Sequence, residues 1–551
     1  DDNHQKDKKP NNEERLTGKP QIIGVTDKIV DGKTKVNVEL ALKGVTAMLG
    51  KQKVSNDKMF MIQSDTIRML AKKGGAVFVG REIELAELTA LWRKPVASLV
   101  TCRGRRRIGK STLIQEFARI SQARFVKIEG KPPEGKMSNR SQLDSFGEQL
   151  SAVTGRRADR FENWNQAFAA LDKCIGGQRT VLLLDEISWM GRYATGFAGD
   201  LKIAWDNLFK RHPRLIVFLC GSVSTWISTN ILNNTGFVGR ASLNMVVREL
   251  ELADCVKFWG RKAARTSTRD IVDVLSVTGG VPRYLEEIDP ALSAGENIRR
   301  LCFRPDALLR DDFSKIFNVV FGESAVTKRR ILELLSVAPQ TVSQLAESLA
   351  VERSGSLSDH LNDLIVAGFV SEDVGLNPAT GKVAKSSRYR VADNYTRFYL
   401  KHIGPNGRMI DAGSFGFRGL ELLKGWDAIM GLQFETLVLS HLQALLPKLG
   451  FGDLQIKSAA PYRQAATQRK RGCQIDLLIQ TDRRVCIVEI KRKREIGCEI
   501  IDEVESKVRA LDLPRGKTVR TALVYEGTLA KSVEADGYFD AIVPASDLLG
   551  L

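Results

Sequence analysis

The chain has 551 residues, 43% hydrophobic and 27% charged, with a formal net charge of +18 and a sequence pI near 9.5. That length exceeds a single hydrophobic core and predicts roughly three or four domains of ordinary globular composition. The positive excess favours an anionic partner, most simply nucleic acid. The eight cysteines are scattered. They form no CxxC pair and none lies near a histidine at zinc spacing, which argues against a zinc site and for a reducing, cytoplasmic setting. No apolar run approaches about 20 residues, so no membrane span is expected.

The chain opens with "DDNHQKDKKPNNEERLTGKP", which has neither an initiator Met nor a signal-peptide apolar region. Residues 1–20 are expected to be a disordered, processed or tagged end. Residues 21–75 mix short apolar alternation ("KVNVELAL") with glycines, and the expectation is a small docking or capping segment of unassigned role.

From Ala76 the pattern becomes strand, turn, helix. "VASLVTC" ends at a glycine-bounded turn, after which Leu113, Phe117 and Ile120 recur at helical spacing. "ARFVKIEG", "TVLLLDEIS" and "RLIVFLCGS" are further buried-strand candidates. Their alternation with helical stretches predicts a parallel α/β sheet covered on both faces, over residues 76–251.

Gly104, Gly109, Lys110 and Ser111 fill G-x-x-x-x-G-K-[ST] between a strand and a helix, and Thr112 follows. Glycines let backbone N–H groups turn toward phosphate oxygens, with Lys110 reaching the β/γ-phosphates of ATP and Ser111 holding Mg²⁺. The helix N-terminus adds partial positive charge. In "TVLLLDEIS" an apolar strand delivers Asp185 and Glu186 to its end. Asp185 is expected on Mg²⁺ and Glu186 beside the attacking water. Taken alone, the acidic pair would equally suit a helix N-cap.

At this point the chain resembles the prokaryotic, archaeal-type AAA+/STAND-like ATPases that carry a C-terminal nuclease-like domain. The resemblance runs from about Phe78 to the C-terminus and rests on "FVGREIEL", "GRRRIGKST", "LLLDEISWM", "FLCGS", "GFVGR" and "TGGVPRYL". It implies that Gly80 and Arg81 border the base or ribose, and that Ser222 is a polar sensor near the γ-phosphate. It also implies that Arg240 is an arginine finger, and that Pro282 and Arg283 meet the nucleotide from a helical lid at 252–322. A finger acting in trans would require a homo-oligomer, and a cis arrangement stays open. Arg105, Arg106 and Arg107 cannot all face one phosphate. At least one is expected to point to a neighbouring subunit, an acidic patch or DNA.

Residues 323–405 follow the order of a winged helix-turn-helix: three apolar-periodic helices, a short strand, and the hairpin "GLNPATGKVAKSSRYRV". The recognition helix expected at Ser356–Ala367 carries Asp359, His360 and Asp363 but no Arg or Lys. Its carboxylates repel a phosphate backbone. Lys382, Lys385, Arg388 and Arg390 supply positive charge on the wing. Duplex contact through the wing and docking to protein are both compatible with this pattern.

In residues 406–551, "CQIDLLIQTDRRVCIVEIKRKREIG" places two apolar strands about a polar turn. Folding it symmetrically about Asp482 and Arg483 sets Asp476 opposite Glu489, and Glu489 shares a strand face with Lys491. Two carboxylates and a lysine then converge, as phosphodiester hydrolysis with one or two Mg²⁺ ions requires. The spacing resembles the PD-(D/E)xK nuclease superfamily. That resemblance gives Glu435, in "GLQFETLVLSHL", the role of the acidic residue supplied by the preceding helix. "QRKRG" and "KRKRE" flank the site and either track DNA or form a solvated basic face.

The expected fold class is therefore a P-loop NTPase (AAA+-like) parallel sheet with a helical lid, then a winged helix-turn-helix, then an α/β PD-(D/E)xK nuclease-like domain. The expected activity is ATP hydrolysis coupled to a Mg²⁺-dependent endodeoxyribonuclease acting on DNA. The alternative is a nucleotide-dependent switch or scaffold whose nuclease-like domain binds without cutting.

Overall fold

The computed structural model of the chain describes residues 28–30, 33–35 and 78–551, apart from 134, 136, 158–159, 223, 352–354, 384–386, 416–418, 453–454, 467, 469–470, 512 and 514–515. By contact the chain divides into two units, Asp1–Phe78 and Val79–Leu551. In the first, the described residues are two antiparallel strands, β1 (Lys28–Val30) and β2 (Lys33–Lys35). The expected tail at 1–20 lies outside the described residues, as does most of the segment at 21–75.

In the second unit, β3 (Ser98–Arg103), β4 (Arg124–Glu129), β5 (Thr180–Asp185), β6 (Leu215–Gly221) and β7 (Ala241–Val246) form one parallel sheet. Its order is β4-β5-β6-β3-β7. β5 and β6 are buried along their whole length, as expected of apolar strands covered on both faces. Because all five run the same way, the residues following β3, β5 and β6 emerge at one edge, where open α/β sheets bind their ligands. Residues preceding the strands lie at the opposite edge.

The lid is helical, including α4 (Thr268–Thr278), α5 (Pro282–Leu285) and α6 (Leu308–Phe321). The winged helix follows as α7 (Ala325–Leu335), α8 (Val342–Leu349), α9 (Gly355–Val366), β8 (Val370–Asp373) and β9 (Arg388–Val391). α10 (Asn394–Phe398) leads out of it.

The C-terminal domain carries α11 (Trp426–Ser440) and a mixed sheet in the order β10-β11-β12-β13-β14. These strands are β10 (Ser458–Gln464), β11 (Cys473–Gln480), β12 (Arg484–Ile496), β13 (Thr518–Leu529) and β14 (Ala541–Pro544). β11 and β12 pair antiparallel from Leu477↔Val488 to Gln480↔Val485, so the turn falls at Asp482–Arg483 as the sequence predicts. β10, which pairs with β11, has no counterpart in the sequence reading. Its "SAAPYRQ" contains a proline and no clean alternation, which demotes it by pattern.

One hydrophobic core joins the lid to this domain: Ile271, Leu275 and Leu285 pack with Leu437, Leu477, Val488 and Val524. An ion cluster reinforces the join, with Arg492 beside Asp273 of α4 (2.6 Å) and Glu526 of β13 (3.7 Å). Among the described residues no single helix is long and apolar enough to cross a membrane, and all eight cysteines are free.

Leu477→Ala is expected to cost about 2–5 kcal/mol of stability, as full burial without room to collapse implies. Because its core is shared, lid and C-terminal domain should lose hydrogen-exchange protection together. Loss confined to the C-terminal domain would show that they are separate cooperative units.

Candidate functional site

β3 delivers the chain to Gly104 at φ 150°, where a Cβ would lie 2.4 Å from the Val247 carbonyl oxygen. No side chain fits there. The loop closes at Gly109 (φ 86°), the cap of α2 (Lys110–Ile120). The first-turn N–H groups of Lys110, Ser111 and Thr112 therefore have no intrahelical acceptor, and they form an anion-binding helix start. Lys110 is buried, and its Nζ donates to the carbonyls of Gly104 (2.9 Å) and Arg105 (3.1 Å).

The acidic pair arrives from β5 beside this loop. Ser111 Oγ donates to Asp185 Oδ2 at 2.6 Å. Lys127 Nζ lies 3.1 Å from the same oxygen. Burial pushes the Asp185 carboxyl upward, but Ser111 and Lys127 outweigh it and hold it below the usual carboxylate range. Glu186 takes a left-handed conformation (φ 47°) and accepts from Ser222 N (3.1 Å) and Ser222 Oγ (2.8 Å). Expected catalytic carboxylate and expected sensor are thus directly bonded.

The other expected nucleotide contacts divide. Gly80 lies against Asp254, whose Oδ2 would be 2.6 Å from an added Cβ. Arg81 Nη2 donates to the Ile108 carbonyl at 3.1 Å, bracing the loop from behind. Pro282 Cγ lies 3.8 Å from the Cβ position of Gly109, so the lid reaches the loop. Arg283 instead pairs along its own helix with Glu287 (2.6 Å) and Glu286 (3.4 Å).

Arg240 binds Asp206 through two bonds of 2.9 Å. It precedes β7, whose Ala241 pairs with Leu99 near the start of β3. Five strand residues therefore separate it from Gly104, about 17 Å. In this arrangement Arg240 is bonded to Asp206 and stands away from this chain's own phosphate loop.

All three loop arginines are engaged within the chain. Arg105 Nη1 is 3.2 Å from Glu249 and 2.5 Å from Asp393. Burial opposes its charge, yet Asp393 and Glu249 raise its pKa further. Arg106 lies over the Trp189 ring at 5.6 Å. Arg107 forms an ion pair by distance with Asp312 of α6, at 2.6 Å. Of the destinations open from sequence, Arg105 and Arg107 take the acidic one.

Asp393 is 1% exposed and caps α10, so Arg105 ties the phosphate loop to the end of the winged helix. From there buried bonds continue. Asn394 Nδ2 donates to the Gln433 carbonyl (2.9 Å), and Gln433 Nε2 donates to the Asn394 carbonyl (2.6 Å). Arg397 Nη1 donates to Gln433 Oε1 (3.0 Å) and Thr436 Oγ1 (2.6 Å). Gln433 and Thr436 flank Glu435 on α11, which packs on β12.

Glu435, Asp476, Glu489 and Lys491 line one cleft of about 560 Å³. Asp476 Oδ2 accepts from Ile490 N at 2.9 Å. Burial, then Glu489 and Glu435, pushes its carboxyl up to about 8. Burial likewise raises Glu435, against the opposing pull of Arg390 and Arg397. Lys491 Nζ bonds Glu489 Oε1 (2.9 Å) and Glu503 (2.7 Å), while Lys507 Nζ bonds Glu489 Oε2 (2.5 Å). Among the described residues no three His, Cys, Asp or Glu side chains close into a set that could hold a metal ion. The two ammonium groups neutralise Glu489. Glu503 and Lys507 escaped the sequence reading because, four apart on a helix (Glu499–Ala510), they have the spacing of an ordinary surface pair.

The expected basic surfaces are partly consumed by the fold. Arg390 is 8% exposed and pairs with Asp373 at 3.0 Å, and Arg388 donates to the Pro339 carbonyl at 3.0 Å. Lys382 is exposed, and Lys385 lies outside the described residues. Asp363 of α9 pairs with Lys328 at 2.9 Å. α9 itself packs on α3 (Ser224–Ile227), the segment just after Ser222. In the C-terminal runs, Arg492 is turned inward, and Arg469 and Lys470 lie outside the described residues.

Residues 78–288 match the family described as an ATPase domain predominantly from Archaea, and residues 326–372 match bacterial regulatory proteins of the arsR family. The chain thus carries an archaeal-type ATPase module followed by an arsR-type helix-turn-helix. It is 24% identical over 424 residues to an uncharacterised protein of Methanocaldococcus jannaschii, covering 76% of this chain and 88% of that one. Among solved structures it is similar to a Walker-type ATPase of Pyrococcus abyssi (TM-score 0.44, 16% identity, 59% of this chain and 96% of that). It is also similar to the ORC2 protein of Aeropyrum pernix (TM-score 0.36, 14% identity, 61% and 94%).

With its folded pKa near 8 against an ordinary 3.8, Asp476 favours the folded state when protonated. That contribution is complete below the ordinary value and is lost as pH rises through the folded one. In chelator, Asp476→Asn should therefore have a higher Tm than wild type above pH 8, the two curves converging toward pH 4. Parallel curves would show that this carboxyl is not buried among like charges.

Proposed function

We propose that this protein hydrolyses ATP and acts on DNA, its ATPase module controlling a C-terminal Mg²⁺-dependent nuclease. The observation that carries the nuclease half is the cleft where Glu435, Asp476 and Glu489 converge with Lys491. A carboxyl raised to about 8 by burial and its neighbours is a group short of positive charge. An all-oxygen donor set suits a hard divalent cation once its carboxylates close together, which they do not in this arrangement.

At the loop, Lys110 exchanges its two backbone carbonyls for the β/γ-phosphate oxygens of ATP, and the N–H groups of Lys110, Ser111 and Thr112 receive the remaining charge. Glu186, released from Ser222, accepts a proton from water as the oxygen bonds to the γ-phosphorus and the bond to the β-phosphate oxygen breaks. Arg240 acts in trans, on a neighbouring copy's nucleotide. Mg²⁺ held by Ser111 and Asp185, and at the far site by Asp476, Glu489 and Glu435, would neutralise phosphate charge and acidify bound water. At the far site Lys491 steadies charge developing on the phosphodiester. Lys507 must first leave Glu489.

Control is supported by the contacts that lead from Arg105 to Asp393 and, from its chain neighbours Asn394 and Arg397, to Gln433, two residues from Glu435. A second reading, a nucleotide-dependent switch that binds without cutting, is favoured by the two lysines that neutralise Glu489.

DNA cleavage on duplex, single-stranded and branched substrates separates the two. Lys110→Ala should abolish ATP turnover, and retained turnover would remove the assigned site. Asp476→Ala should abolish Mg²⁺-dependent cutting and leave ATP hydrolysis within about twofold. A wild type that cuts none of them in Mg²⁺ or Mn²⁺, with or without ATP, leaves the switch.

A further inference from the structure

The positive excess of this chain needs an outlet. The wing arginines and Arg492 are spent on internal partners. The recognition helix is acidic and packs on the ATPase core. Another set of cations is assembled by topology at the edge of the parallel sheet remote from the phosphate loop.

There the end of α1 (Glu82–Trp92), the turn before β5 and the turn before β6 meet in a cleft of about 480 Å³. Trp92, Arg93, Lys94, Arg179 and Arg214 line it with two prolines, and no carboxylate does. Arg93, Lys94 and Arg214 are exposed and, among the described residues, form no ion pair. The Arg179 guanidinium lies over Trp92, 4.6 Å from the ring centroid. Stacking fixes the guanidinium plane in advance, which lowers the entropy lost when its N–H groups bond phosphate. Four like charges from three segments repel one another unless an anion joins them. Elsewhere on this edge Arg240 and Arg211 have Asp206 and Asp172 as partners.

We infer that this cleft binds the phosphodiester backbone of DNA, so that the ATPase domain, and not the wing, holds the duplex. The inference rests on the reading that the protein acts on DNA. An extended polyanion is favoured over a small one because the cations spread over separate turns at the cleft mouth and none is buried.

The test is fluorescence anisotropy of the full chain on a short labelled duplex across a salt series, with Arg93→Glu/Lys94→Glu compared with Lys382→Glu on the wing. Each lost phosphate contact lowers the slope of log K against log salt by about one. The double variant should therefore bind at least tenfold more weakly with a slope smaller by about two, and should keep DNA-free ATP turnover. Lys382→Glu should leave both affinity and slope intact. An unchanged slope in the double variant overturns the inference, as does a loss confined to the wing variant. If an ADP titration of wild type shows a second site that the double variant loses while its DNA binding stays intact, the cleft belongs to free nucleotide and the inference is overturned too. Wild type that binds no DNA at any salt would instead remove the DNA reading beneath it.

Discussion

Two charges withdrawn from water cannot be left apart, and that constraint joins the phosphate loop to the rest of this molecule. Arg105, whose side chain is 11% exposed, lies 2.5 Å from the fully buried side chain of Asp393. Removing either partner of such a pair costs about 3–5 kcal/mol, because the other charge stays behind. The guanidinium belongs to the turn that would receive a triphosphate, and the carboxylate caps the helix leaving the winged unit. Arg107 and Asp312 repeat the arrangement toward the lid. Polyanionic phosphate arriving in this turn competes for guanidinium groups already assigned to carboxylates. Nucleotide binding and domain placement therefore draw on the same charges.

What lies beyond that pair is densely packed. Asn394, Arg397 and Gln433 are all buried, the first two each bonded to the third, and Arg397 loses part of its proton affinity, to about 10, chiefly through burial. Low-dielectric networks of this kind have few ways to adjust short of breaking. α11 carries the network to the face of β12 that bears Glu489. The winged helix consequently serves as an internal bracket. Its recognition helix packs on the ATPase core, its strands use their arginines locally, and the residues just after it bond Arg105 of the phosphate loop and Gln433 and Thr436 beside Glu435. Whether the two sites exchange free energy depends on this bracket having two arrangements, which is the physical content of the proposed control.

Much of this was legible in the residues, for specific reasons. The glycine turn declares itself because φ values near 150° and 86° admit little else. The hairpin register follows from counting about Asp482 and Arg483, since a one-residue slip would turn every apolar side chain to the wrong face. Partner choice was not legible. Arg390 and Arg492 look like solvated cations in a basic run, yet each finds a carboxylate that topology alone brings near, Asp373 across a strand pair and Asp273 from the lid. Glu503 and Lys507 were hidden by helical spacing, and β10 by its proline. The destinations of the three loop arginines required coordinates, because Asp393 is 288 residues from Arg105 in sequence.

The measurement that bears most directly on this coupling is amide hydrogen exchange along Trp426–Ser440, with and without a non-hydrolysable ATP analogue, in wild type and Arg105→Met. Nucleotide should change protection of this helix in wild type and leave it unchanged in the variant, while both still bind the analogue. Exchange in Trp426–Ser440 that ignores nucleotide in wild type would contradict the claim that the loop's charge balance reaches the carboxylate cleft.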